Sequence, residues 1–250
     1  QSAKNADEEP IFKAAHKGLS FLRVGANAGD DKTAVNAVKM VRRAGLEARY
    51  SLMKAYVLTP DELAAEATML ENAGVQAITI MDSAGYMFPE QAAEYTRKVK
   101  SAVSIPVGFH GHSNLGMAMA NAQAAEAAGA DFIDCGLIGM ARSAGNITTE
   151  GALAIFQREG KALQYDFYAL LHFIDDKLMP AMEKEGYHTP IKPLDLILGY
   201  AGCHSSFVNT YKEVAKETGT DLYKLIVETS KRNQKNPTRE LMEEVASSIH

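Results

Sequence analysis

Apolar and polar positions along this chain follow one repeating phrase. A segment of helical periodicity closes on glycine, and a short run of apolar and β-branched residues follows. Lys17-Gly18 precedes Phe21-Leu22-Arg23-Val24, and Ala44-Gly45 precedes Ala48-Arg49-Tyr50-Ser51-Leu52. Ala73-Gly74 precedes Ala77-Ile78-Thr79-Ile80-Met81, and Ala128-Gly129 precedes Phe132-Ile133-Asp134-Cys135. Between the last two, Ser104-Ile105-Pro106 leads into Val107-Gly108-Phe109-His110. The phrase recurs at roughly the length of one α/β unit, and its glycines suit the left-handed residue that ends a helix.

The helices carry their own start signals. Thr59-Pro60-Asp61-Glu62 offers an N-cap, a proline at the first helical position and early acids, after which Leu63, Ala67 and Leu70 share a face. Phe88-Pro89-Glu90 opens another helix, a short helix covers 9–17, and Asn114 is expected to start an Ala-rich one. Short apolar strands alternating with helices predict an α/β fold with a parallel sheet. Five strands are clear, and a sixth is expected near 163–167.

Polar or reactive groups gather just after the strands: Asn27, Lys54, Asp82-Ser83, His110-x-His112 and the segment 139–146. In a TIM-type (β/α)8 barrel those ends form one catalytic face. An open doubly wound sheet competes, but no G-x-G-x-x-G turn follows any strand. A closed barrel needs eight strands. With about six here, the expectation is a barrel incomplete at the N-terminus, either a fragment or a fold that something else completes.

The sharpest chemical signal is Val107-Gly108-Phe109-His110-Gly111-His112-Ser113-Asn114. Residues i and i+2 of a strand face the same side, so His110 and His112 would converge as two neutral ligands of one divalent metal. An ordinary polar strand edge is the alternative. Lys54 could be a Schiff-base lysine or a structural one. Asp82 could join a metal site or support its loop. His16, His172 and His188 sit in helix or linker contexts and read as surface or packing residues.

Composition narrows the classes. The 250 residues suffice for one large domain or a domain with a small appendage. A net charge of −5 without a basic face argues against nucleic acid. The apolar runs are too short to cross a bilayer, and Gln1 to Pro10 lacks the apolar region of a signal peptide. Cys135 and Cys203, far apart in apolar contexts, predict buried thiols in a reducing, cytoplasmic setting rather than a disulfide or a structural zinc.

Asp82-Ser83-Ala84-Gly85, the H-x-H-x-N-L block ending at Leu115, the segment from Gly139 to Gly145-Asn146, and Leu198-Gly199-Tyr200-Ala201-Gly202 together resemble the DRE-TIM metallolyases. Within them the chain is most similar to the 4-hydroxy-2-oxovalerate aldolases, class II pyruvate aldolases of aromatic meta-cleavage pathways. The resemblance runs from about Ala14 to the end. H-x-H-x-N-L alone would also fit isopropylmalate synthase, citramalate synthase or HMG-CoA lyase, whereas G-Y-A-G-x-x-S-S-F over 199–207 favours the aldolases.

The resemblance implies a partial barrel over 1–175 carrying the metal site, then a helical C-terminal domain over 176–250. It implies a divalent metal, Mn2+ first with Mg2+ or Co2+ as alternatives, held by His110 and His112 with Asn146 as a further ligand position. Ser83 matches a substrate-contacting serine. The family's third ligand and catalytic arginine come from an Arg-Asp-Gly motif, and this chain contains none. His204 stands where the aldolases carry a substrate-contacting tyrosine; it can also move a proton, and it places the exact substrate in question.

The implied reaction is retro-aldol cleavage of a 4-hydroxy-2-oxo acid to pyruvate and a short aldehyde. An acylating acetaldehyde dehydrogenase docked on the C-terminal domain would be the implied partner. A related acyl-CoA lyase or synthase is the first alternative, and an inactive barrel serving as a docking module the second.

Overall fold

The computed structural model describes residues 2–187 and 193–249. His188 lies outside the described residues. The chain divides into two compact units that interleave along the sequence: 1–83, 87–110 and 124–133 form the first, and 84–86, 111–123 and 134–250 the second.

The first unit is built on parallel strands β1 (Phe21–Asn27), β2 (Glu47–Met53), β3 (Ala77–Asp82), β4 (Val107–Gly111) and β5 (Phe132–Asp134), which lie side by side in chain order. The connecting helices α1 (Glu8–His16), α2 (Asp31–Arg43), α3 (Pro60–Asn72), α4 (Pro89–Ala102) and α5 (Ala118–Ala127) alternate with them. The architecture is α/β of the TIM-barrel type. All five strands predicted from the sequence are present. The strands bury Val24, Ala26, Tyr50, Leu52, Ile78, Ile80, Val107 and Phe109, and the helices bury Val41, Leu63, Leu70 and Val99. Gly18, Gly45, Gly74 and Gly129 each close a helix at positive φ, where a side chain would clash with its own backbone.

Helix α3 shows the full capping box: Thr59 Oγ1 accepts from the Glu62 N–H and the Glu62 carboxylate accepts from the Thr59 N–H. A second clamp fixes the entry of β4. Asp131 Oδ2 accepts from the Val107 N–H at 2.7 Å and from Lys100 Nζ at 2.5 Å. Partial burial pulls the Asp131 carboxyl up, but Lys100 and the Val107 N–H together outweigh it and hold it below the usual carboxylate range.

The second unit is helical. It contains α6 (Thr149–Arg158), α7 (Phe167–Phe173), α8 (Met179–Lys184), α9 (Pro193–Ala201), α10 (Val208–Thr218), α11 (Leu222–Arg232) and α12 (Arg239–Ser248). Its core gathers Leu198, Cys203, Tyr211, Val214, Leu225, Ile226, Met242 and Val245.

Three expectations are corrected. The sixth strand near 163–167 is a turn leading into α7, which Asp166 caps through the Ala169 N–H at 2.9 Å. Leu163 and Tyr165 are exposed, so their alternation with polar neighbours follows no sheet face. The helix expected from Asn114 begins at Ala118, because Gly116 turns the chain at positive φ first. Cys203 is buried as expected, but Cys135 is exposed, because β5 ends at Asp134 before the thiol. His16 and His172 are exposed, as read from the sequence.

The Asp131 clamp predicts a pH-dependent stability. Its depressed pKa means that its contribution is present at neutral pH and is lost as pH falls through the folded value. Thermal melts of Asp131→Asn should lie about 2–4 °C below the unsubstituted chain at pH 7, the size expected for one hydrogen bond. The gap should begin to narrow as pH falls past about 3.9, the unfolded carboxylate value, and close once pH lies below the lower folded value. A gap that keeps its size into acid would show that charge plays no part in the clamp.

Candidate active site

The first unit presents functional groups where β2, β3 and β4 end, three neighbours in the sheet. Lys54 follows β2 directly and adopts the left-handed conformation, φ 54° and ψ 43°. That costs a residue other than glycine on the order of 1–2 kcal/mol. The turn aims the Lys54 N–H at Ser83 Oγ, 2.9 Å away, and so ties the end of β2 to the residue after β3. Ser83 is buried. Asp82 is fully buried, and its Oδ2 accepts from the Met87 N–H at 3.0 Å, so it supports the loop after β3. His110 is half-buried near the end of β4.

The second unit begins at Gly111 and carries His112, 4% exposed, and Asn114, 2% exposed. The loop before α6 folds back on them. His112 and Asn146 form an isolated antiparallel bridge, the Ser113 N–H donates to Gly145 O at 2.9 Å, and the Ile147 N–H donates to Gly111 O at 3.2 Å. Asn114 Nδ2 donates to Ser143 Oγ at 2.7 Å. Ser143 (φ 60°) and Ile138 (φ 49°) hold this loop in left-handed turns, the kind of strain that concentrates at functional sites.

Two glycines let other segments close on the same spot. A Cβ on Gly85, at φ 61°, would stand 2.6 Å from both His112 O and Asn114 N. A Cβ on Gly199, within α9, would stand 2.7 Å from Asn114 Cβ. The first of the Gly-rich motifs and the last therefore meet at Asn114, and any side chain at either position would push the loop away.

Asn146 supplies the test of a metal site. Its Oδ1 is buried and has no hydrogen-bond partner among the described residues. A buried acceptor left in that state costs about 1–3 kcal/mol unless a ligand satisfies it. The residue is the bridge partner of His112, which lies one position beyond β4 and two after His110. Two imidazoles and one amide oxygen fit a divalent cation of borderline hardness. Among the described residues no group of three His, Cys, Asp or Glu side chains converges, which accords with the absence of an Arg-Asp-Gly aspartate.

His204 has both ring nitrogens engaged. Nε2 lies 2.6 Å from Arg142 Nη1, and Nδ1 lies 2.7 Å from Ser206 Oγ and 3.2 Å from the Ser206 backbone nitrogen. A guanidinium only donates, so Nε2 must accept. The Ser206 N–H is a second donor and faces Nδ1, yet a neutral imidazole accepts at one nitrogen only; the shorter, charge-assisted Arg142 contact outweighs it, which favours the proton on Nδ1, toward the Ser206 hydroxyl. Arg142 adjoins Ser143 in sequence, so the loop that bonds Asn114 also reaches His204. Sequence reasoning missed Arg142 and Ser143; the polar cluster over 139–146 marked their loop but not their partners.

Comparison with known proteins places these residues in context. The HMGL-like family signature matches residues 27–176. The chain is 31% identical over 236 residues to a 4-hydroxy-2-oxovalerate aldolase of Brevibacillus brevis, covering 94% of this chain and 68% of that protein. It is 33% identical over 241 residues to the enzyme of the same name from Moorella thermoacetica, covering 95% and 70%. Among solved structures, the carboxyl transferase domain of Rhizobium etli pyruvate carboxylase superposes with a TM-score of 0.79 at 16% identity. That match covers 98% of this chain and 45% of the solved one, a likeness of fold.

The Arg142 contact predicts the tautomer of His204. Long-range 15N–1H spectra above about pH 8, where an unperturbed imidazole is neutral, should show His204 as Nδ1–H. Arg142→Leu should release it toward Nε2–H, the commoner form. An Nε2–H pattern in the unsubstituted chain would contradict the donor argument.

Proposed function

We propose a function from the premise that this chain belongs to the HMGL-like family. The reading is metal-dependent retro-aldol cleavage of a 4-hydroxy-2-oxo acid, of the 4-hydroxy-2-oxovalerate type, to pyruvate and a short aldehyde. One observation carries it: the buried Asn146 Oδ1, without a hydrogen-bond partner, on the bridge partner of His112. The names of the relatives support the substrate class, and the family's general dependence on a divalent metal supports the cofactor.

His110, His112 and Asn146 would hold the ion, with Mn2+ as first choice. When bound, such an ion supplies Lewis acidity to the 2-oxo and carboxylate oxygens. The remaining work falls to the chain's own groups. Ser83 accepts from the Lys54 N–H, so its hydroxyl proton is available to a substrate oxygen. His204 takes the C4 hydroxyl proton at Nε2 once substrate displaces Arg142, and Arg142 is then available to an anionic oxygen. As that proton leaves, the C4 oxygen forms the aldehyde carbonyl, the C3–C4 bond breaks, and its electron pair becomes the pyruvate enolate. The proton held by His204 is returned through solvent to C3, which gives pyruvate and restores the neutral imidazole. Gly199 of α9 approaches Asn114 closely, and we assign the helices of the second unit the role of excluding water.

The test is pyruvate release from 4-hydroxy-2-oxovalerate by the purified chain, before and after complete metal removal and with Mn2+ restored. Chelation and His112→Ala should each lower the rate at least about 100-fold, and only the chelated sample should recover with Mn2+. Turnover that survives full metal removal would overturn the reading.

A further inference from the structure

We propose that Gln234 is the positioning residue for His204 and acts through the turn that ends α9; the proposal rests on the proton-accepting role given to His204 above. The turn follows from the end of the helix. The last carbonyls of an α-helix have no intrahelical partner and need others. Here the Gly202 N–H donates to Gly199 O at 3.2 Å, and the Cys203 N–H donates to Leu198 O at 2.9 Å. That pair of bonds, with Gly202 left-handed at φ 67°, is the Schellman termination. Leu198 and Cys203 both lie in the buried core of the helical unit, which anchors the turn. His204 comes next in the chain, so this turn sets the direction in which its ring leaves the backbone.

One carbonyl of the turn is met from far along the chain. Ala201 O, at the end of α9, accepts from Gln234 Nε2 at 3.0 Å across a separation of 33 residues. A carbonyl only accepts, so the amide must present its nitrogen there. The same nitrogen stands against Gly202, where a Cβ would lie 2.5 Å from it. Gln234 is itself held in place. It sits between α11 and α12 in a turn closed by Asn233, whose Nδ2 donates to Asn236 O at 3.2 Å and whose Oδ1 accepts from the Asn236 N–H at 2.9 Å. A fixed turn thus delivers one donor to the carbonyl just before the segment that carries His204. The ring's own contacts are short, 2.6 Å to Arg142 and 2.7 Å to Ser206 Oγ. A displacement of about 1 Å would break them, and a misplacement of that size can cost on the order of 100-fold in rate.

The experiment measures pyruvate release from 4-hydroxy-2-oxovalerate by the full chain with Mn2+, and follows the His204 ring by long-range 15N–1H spectra. Gln234→Met keeps the bulk and removes the donor. Gln234→Glu keeps the shape, and at neutral pH its carboxylate cannot donate. Each should lower kcat at least about tenfold, while KM and the Mn2+ dissociation constant stay within about twofold. In a His204→Ala background the same substitutions should cost less than about twofold more, because the group they misplace is gone. The His204 ring should also lose its Nδ1–H preference as the Arg142 contact opens. A smaller fall in kcat, a full loss repeated in the His204→Ala background, or a rise in the Mn2+ dissociation constant as large as the fall in kcat would overturn the proposal and leave the aldolase reading intact. If the unsubstituted chain releases no pyruvate, the aldolase reading fails and the spectra decide the positioning: a ring unchanged by Gln234→Met refutes it, and a relaxed tautomer supports it. Should Gln234→Met fail to fold, Gln234→Glu is read by the same criteria.

Discussion

The bridge between His112 and Asn146 is the contact on which the candidate site depends. It closes the loop before α6 onto the end of β4, where His112 and Asn114 are buried. Once closed, the loop has to satisfy what it buries. Asn114 finds Ser143, the Ser113 N–H finds Gly145, and the Gly111 carbonyl finds Ile147. Asn146 Oδ1 remains, and a native fold rarely leaves such an atom without a reason. The site is in this sense defined by what its loop does not satisfy internally.

The same logic organises the other strand ends. A parallel sheet whose strands follow chain order sends consecutive carboxyl ends to one edge, where loops meet water and ligands. Here the ends of β2 and β3 are joined through Lys54 and Ser83, at the cost of a strained backbone. Arg142 and His204 form a second polar pair in the helical unit, and the donor-only guanidinium decides which imidazole nitrogen carries the proton.

Much of this was legible in the residues. Four of the five strands announced themselves as apolar runs preceded by a helix-closing glycine, β4 followed Ser104-Ile105-Pro106 instead, and the α3 capping box could be read at Thr59 and Glu62. His-x-His at the end of β4, with Asn146 later in the chain, marked the candidate metal ligands. Other features depend on tertiary packing and leave no periodic trace. Leu163, Tyr165 and Phe167 alternate as a strand would, but Asp166 caps a helix there and the first two face solvent. Asn114 has the composition of a helix cap, and only the turn at Gly116 reveals that it is buried in the site instead. The burial of Lys54 and the partnership of Arg142 with His204 join residues far apart in sequence, where spacing carries no information.

The central claim is that His110 and His112, at the end of β4 and just beyond it, are metal ligands rather than strand-edge polar groups. Pulsed EPR of Mn2+ bound to the chain labelled with 15N-histidine tests it most directly. The account predicts nitrogen couplings from two directly bound imidazoles, reduced to one in His112→Ala. Mn2+ that fails to bind, or that binds without any directly coordinated imidazole nitrogen, would contradict it.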